Sequence, residues 1–239
     1  MSRLLPTYLT VFLLTSCSVY VPLQPTMPLV EESKQVEVVA SLQPTMRLEV
    51  AGAYSPLPHM VVTGAGTVGL VTRGKEYLRT RQGEIGVGGY WKLGDNWLLS
   101  ALGGAGSAAT NRRYCAWGCS QLEGGHYKIF GQVGAAYEGR RKTSSLTYRL
   151  ARVEYSRVKD GEVVLANFGT YRHELVLADR WQLGSNPAWF WQSTAGVSLS
   201  NLYSPSSKPT APQNQDDRWY AAGLPALLVS FGVGWQPQR

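Results

Sequence analysis

From Gln35 to the C-terminus, apolar and polar residues alternate with a period of two, and the alternation breaks at clusters of Gly, Pro, Asn, Asp and Ser. The pattern predicts ten strands, at 35–42, 45–54, 59–70, 83–93, 96–106, 125–137, 144–157, 170–182, 188–200 and 226–235. No stretch carries a helical stripe. Several segments reach the length of about 9–11 residues that a tilted strand needs to cross a bilayer. The predicted fold class is all-β, an antiparallel up-and-down β-barrel of about ten strands over residues 34–239. The connections fall alternately at two ends. At one end all are short: Ser55-Pro56-Leu57-Pro58, Gly94-Asp95, Glu138 to Thr143 and Leu183 to Pro187. At the other they are Gln43-Pro44, 71–82, 107–124, 158–169 and 201–225, four of them long.

This asymmetry is similar to that of outer-membrane barrels, with short periplasmic turns and longer external loops. The resemblance implies that the long connections face outward and that an even strand count returns the C-terminus to the periplasm. The strand faces decide between a membrane and a soluble barrel. In 83–93, Ile85, Val87, Trp91 and Leu93 oppose Glu84, Gly86, Gly88, Tyr90 and Lys92; in 188–200, Trp189, Trp191, Ala195, Val197 and Leu199 oppose Gln192, Thr194, Gly196, Ser198 and Ser200. A soluble barrel would turn the apolar faces inward and leave glycine and serine on a surface that ordinarily carries many charges. The apolar faces are therefore expected outside and the small polar ones in the lumen. Trp91, Trp97, Tyr137, Trp189 and Trp235 near strand ends then form interfacial aromatic girdles. The closing run Phe231-Gly232-Val233-Gly234-Trp235 is similar to the aromatic-rich last strand of such barrels, although four residues follow it. Pro225 cannot donate to a closed ladder, so that strand starts after it.

Strands 144–157 and 170–182 carry most of the strand charge. One hairpin register pairs Arg152 with Glu174 and Glu154 with Arg172, and opposes Tyr155 to Tyr171, Val153 to His173 and Ala151 to Leu175 on the other face. The four charges are then expected as a lumenal ion-pair ladder, because basic residues facing lipid cost about 2–4 kcal/mol each at midplane.

The N-terminal segment departs from the alternation. Arg3 precedes an apolar run from Leu9 to Leu14 that is too short to span a bilayer as a helix, followed by Thr15 and Ser16. Leu14-Thr15-Ser16-Cys17 resembles the lipobox of bacterial lipoproteins. The resemblance implies a signal peptide over 1–16, cleavage before Cys17 and lipidation of Cys17, hence membrane lipid as a partner. Ser18, where an aspartate would retain the protein at the inner membrane, implies the cell outer membrane. Residues 17–33, with Pro22, Pro25 and Pro28, are expected to be an extended tether between lipid and barrel. Once Cys17 is lipidated, Cys115 and Cys119 remain and are expected to close a small disulfide loop in an oxidising compartment; a free pair or half of a metal site is the alternative, with no histidine or second cysteine pair at ligand spacing to complete a site.

Charged residues make up 16% of the 239, against about 25% in soluble proteins, which fits a barrel whose exterior meets lipid. The net charge of +7 suits anionic lipid, lipopolysaccharide or an envelope protein as neighbours; no nucleic-acid motif is present. His59, His126 and His173 stand in no catalytic spacing, so no catalytic residue, metal or cofactor is assigned. The sequence points to a non-enzymatic outer-membrane lipoprotein with a role in envelope structure or surface interaction. A lipid-anchored soluble barrel with a small apolar ligand and a lipid-modifying barrel enzyme are the alternatives.

Overall fold

The structure is a computed structural model that describes residues 20, 22–25, 27–44, 46–73, 76–115, 119–161, 163–164, 168–184, 186, 188–203 and 225–237. The strands are β1 (Val36–Gln43), β2 (Arg47–Tyr54), β3 (Met60–Arg73), β4 (Glu76–Leu93), β5 (Trp97–Cys115), β6 (Cys119–Glu138) and β7 (Lys142–Asp160). They are followed by the two-residue β8 (Val163–Val164) and then β9 (Phe168–Gln182), β10 (Trp189–Tyr203) and β11 (Ala226–Trp235). Each long strand pairs antiparallel with its neighbours in sequence. The pairings β6–β7, β7–β9 and β1–β11 close a ten-stranded up-and-down barrel, with β8 attached to the end of β7. Closure removes the exposed strand edges that an open sheet would leave.

The register fixes the shape of the cylinder. A row of Cα partners that leaves β10 at Trp189 passes through Trp235, Val38, Gly52, Gly64, Ile85, Ala105, Ile129, Arg152 and Tyr171, and returns to β10 at Asn201. From Trp189 to Asn201 the stagger is twelve residues. With ten strands this gives a tilt of about 40° and a backbone radius of about 10 Å. Such a cylinder has room for one extended chain along its axis when the inward side chains are short.

The short-turn end matches the predicted turns. Gly94 takes φ +66° in the β4–β5 turn and Gly184 +63° in the β9–β10 turn, a conformation that costs glycine little. The opposite end differs from prediction: β4 begins at Glu76, β5 runs to Cys115 and β6 starts at Cys119, so segments predicted as the loops 71–82 and 107–124 are mostly ladder. Around Arg79, Arg81, Arg112 and Arg113 the strands carry charge on both faces and lose the alternation, while their backbone hydrogen bonds continue.

Candidate functional site: an occupied lumen

Of the segment expected as an external tether, the described residues from Tyr20 to Val30 lie inside the barrel. Tyr20, Leu23, Gln24, Met27, Leu29 and Val30 are all buried. Pro22, Pro25 and Pro28 fall on every third position, which favours an extended left-handed path and removes three amide donors that would otherwise need lumenal partners. The remaining polar groups are met in order along the axis. Near the long-connection end the Tyr20 hydroxyl donates to Glu174 Oε1 at 2.9 Å, with the Arg172 guanidinium 4.2 Å from the ring centre, and Arg47 donates to the Pro22 carbonyl at 2.6 Å. Midway, the Gln24 amide donates to Glu49 at 3.0 Å, and Gln24 Oε1 accepts from Ser230 at 2.6 Å and from Thr194. Toward the short-turn end Arg180 donates to the Met27 carbonyl at 3.2 Å, the Leu29 amide to Glu37 at 3.0 Å and Gln236 to the Leu29 carbonyl at 2.7 Å. Glu31 then pairs with Lys92 outside the mouth.

Apolar groups of the segment complete two clusters with the wall. Met27, Leu29 and Val30 pack with Ala53, Val61, Tyr90, Leu98 and Ala136 below; Tyr20 joins Leu102, Phe130, Tyr155 and Phe168 above. At Gly134 an added Cβ would stand 3.0 Å from Met27 Sδ, so this glycine makes room for the segment. A cavity of about 40 Å3 remains between Gln24, Pro28 and the wall at Glu37, Glu84 and Arg149, room for little more than a water.

Buried ion pairs line the wall. Arg180 grips Glu37 through two bonds of 2.8 Å and takes Gln192 as acceptor at 2.7 Å. Glu84 accepts from Arg149 at 2.9 and 3.1 Å, lies 2.5 Å from Lys128 Nζ, and shares Arg149 with Gln132. Arg47 and Glu49 pair at 3.7 Å. Burying charge is costly unless each ion has close partners, and here both signs are interleaved.

Of the four predicted lumenal charges, the structure places two in the lumen. β7 and β9 pair Arg149 with Glu174 and Ala151 with Arg172, three residues away from the predicted register. An odd shift exchanges the faces of a strand. Arg172 and Glu174 are fully buried, with Arg149 as the cross-strand partner 4.0 Å from Glu174, and Ser198 accepting from Arg172 at 3.2 Å. Arg152 and Glu154 instead lie outside, bonded to one another at 2.6–2.8 Å, while Ala151, Val153 and Tyr155 point inward. The predicted pairs Arg152–Glu174 and Glu154–Arg172 are therefore not formed. Glu84 lies in the lumen, as the polar face of its strand predicts, whereas Arg149, Lys128, Arg180 and Glu37 are not named by the sequence reading, although each is a charge on the polar face of an alternating strand. Cys17 lies outside the described residues. Cys115 and Cys119 pair through their backbones at the tip of β5–β6, and their side chains lie outside the described set.

The three histidines are dispersed. His126 is buried 5.2 Å from the Tyr20 ring and 5.6 Å from Tyr155, His59 reaches the Tyr90 carbonyl at 3.2 Å, and His173 lies on the exterior 2.8 Å from the Tyr148 hydroxyl. Among the described residues no three His, Cys, Asp or Glu side chains are grouped to hold a metal.

The exterior has the opposite chemistry. Ile85 is 72% exposed, Tyr127 67%, Phe231 61% and Ile129 60%, whereas Arg47, Arg172 and Glu174 are at 0%. Trp91, Trp97, Tyr137, Trp181, Trp189 and Trp235 ring the outside at the short-turn end. Tyr127 lies ten residues above Tyr137 on β6, and Tyr171 ten above Trp181 on β9. At a tilt of about 40°, ten residues rise about 25 Å, the height of the apolar band of a membrane barrel. The Arg152–Glu154 pair lies at that level, opposite Tyr171 and Tyr127, and exposed charges at or above it include Arg79, Arg81, Glu123, Arg157 and Lys159.

No protein family matches the sequence, and no curated protein matches it. Among solved structures the chain is similar to the CymD monoaromatic hydrocarbon channel, at 9% identity over 86% of this chain and 89% of that one, with a TM-score of 0.36.

Proposed function

We propose that this chain is an outer-membrane lipoprotein whose closed, self-occupied barrel is an envelope or surface-interaction element and not an open pore or an enzyme. The observation that carries this reading is the inside-out wall: buried ion pairs around an occupied axis, and an apolar exterior about 25 Å high between two aromatic levels. The signal peptide is cleaved before Cys17, and the acylated cysteine adds a second attachment to a domain that inserts by itself. The long connections face outward, and Arg79, Arg81 and Arg157 meet the phosphates of lipopolysaccharide at headgroup level. The reading as a tethered soluble barrel with an apolar ligand is disfavoured, because the lumen is polar-walled and already filled.

The test is purification of the full chain in detergent and reconstitution into planar bilayers. Folded and boiled samples should migrate differently, and the folded protein should give no steady conductance. A Cys17→Ala protein, processed by ordinary cleavage, should remain in the membrane fraction. Its release in soluble, folded form would overturn the spanning barrel, and stable ohmic conductance of the wild type would overturn the closed lumen.

A further inference from the structure

The direction in which the N-terminal segment occupies the lumen bears on where the lipid sits, and the inference rests on the reading above of a spanning barrel with an acylated Cys17. The partners of the segment descend steadily: Glu174 and Arg47 for Tyr20 and Pro22, Ser230 and Glu49 for Gln24, Arg180 for Met27, and Glu37 and Gln236 for Leu29. The chain thus enters β1 from below, at the short-turn mouth, after crossing the barrel from the long-connection side. Glu174 lies eight residues above Gln182, the last residue of β9 at the short-turn end, which is about 20 Å along the axis. Cys17 precedes Tyr20 by three residues, and three residues span at most about 11 Å. A cysteine tied to Tyr20 in this position cannot reach the short-turn interface. It can reach the other one, since Tyr171, the upper aromatic level, lies only three residues beyond Glu174 on β9.

We infer that the acyl anchor of Cys17 is carried on the long-connection face of the barrel, in the outer leaflet, with the described residues between Tyr20 and Val30 threaded through the lumen between the anchor and the first strand. The wall fits such a path. β1 and β2 have eight residues each, against 18–20 in β4, β5 and β6, so the rim is lowest beside Arg47, the residue that holds the Pro22 carbonyl. A lipid there and a strand terminus below make the chain a through-membrane tie, which the barrel closes around.

Two epitope insertions in the full chain separate this inference from the reading it rests on. One is placed within 208–214, the other between Ser18 and Val19, and intact and permeabilised cells are labelled with antibody. Both tags should label equally in intact cells. If only the 208–214 tag labels, the spanning topology stands and the outer-leaflet anchor is overturned; if the 208–214 tag needs permeabilisation, the orientation itself fails and the inference with it. A cysteine pair reads the threading directly. Gln24→Cys with Ser230→Cys should be joined by a short bis-methanethiosulfonate crosslinker that replaces the reach of the Gln24 side chain, seen as a shift on non-reducing gels, as should the wall pair Thr194→Cys with Ser230→Cys, whose hydroxyls lie 2.8 Å apart. Closure of the wall pair without closure of the Gln24 pair would overturn the threaded path.

Discussion

The hairpin of β7 and β9 carries two Arg–Glu pairs with the same i, i+2 spacing and opposite surroundings. Arg172 and Glu174 are buried in the lumen, contacted by Tyr20, Ser198 and Arg149, while Arg152 and Glu154 are half exposed outside at the upper aromatic level and bonded to each other. The difference shows that in this barrel the location of a charge, and not its spacing, sets its energetic weight. In the lumen an ion has surrendered its water and depends on fixed partners, so losing one partner strands the others. At the rim, water and headgroups replace any partner that is lost, and a pair of that kind contributes little. The lumenal pairs are therefore structural elements of the fold, and the rim pair is part of a surface.

The largest break in that comparison comes from the centre of the lumen. Glu84 holds Arg149 through two bonds and Lys128 through a third contact, all three groups being almost fully buried. Glu84→Ala leaves two cations without their carboxylate, and breaking buried pairs in this way costs about 3–5 kcal/mol. Urea unfolding of the detergent-folded protein, followed by loss of the fast-migrating unboiled band, should show a midpoint far below wild type. A shift of the size expected for a surface residue would mean that water reaches Glu84 and that the lumen is open.

A smaller effect is expected where the segment meets the wall. Tyr20→Phe keeps the ring against Arg172 and the neighbouring aromatic cluster but removes the hydroxyl that donates to Glu174. Glu174 Oε1 then keeps only the longer bond from the Ser198 hydroxyl at 3.4 Å, and losing the shorter bond to this buried carboxylate should cost about 1–3 kcal/mol, read by the same unfolding curves. An unchanged midpoint would separate the segment from the stability of the barrel. The comparison with Glu84→Ala then ranks plug contacts against wall contacts.

The fold was legible because its main determinant is local. Alternation and turn residues set strand number, order and sidedness, and a closed barrel leaves few topologies open. Two features were not. The β7–β9 register depends on how many residues the connection consumes, and β7 continues to Asp160 with β8 beyond it, where no apolar alternation marks the strand. An odd error there reversed the facing of Arg152, Glu154, Ala151, Val153 and Tyr155 together. The N-terminal segment was misplaced for a different reason: a proline-spaced extended chain looks alike in water and in a lumen. The signal that distinguishes them is the apolar content between the prolines, Leu23, Met27, Leu29 and Val30, which a solvated tether does not need.

The smallest effects sharpen the comparison at its rim. Arg152→Ala and Glu154→Ala should each change stability by about 0–1 kcal/mol, since both side chains are half exposed and their pairing is replaceable by solvent or headgroups. Charge reversal tests the register more sharply. Had Glu154 faced Arg172 across the ladder, Glu154→Arg combined with Arg172→Glu would restore an attraction that each reversal alone destroys. In the observed pairing Glu154 lies opposite Gly169 on the outside, and Arg172 lies opposite Ala151 on the inside, so the wall separates the two. Their double-mutant cycle should close with a coupling energy within about 0.5 kcal/mol of zero, the additivity of independent sites. A coupling of a few kcal/mol would move the hairpin by three residues, return Arg152 and Glu154 to the lumen and turn Ala151, Val153 and Tyr155 out to the lipid.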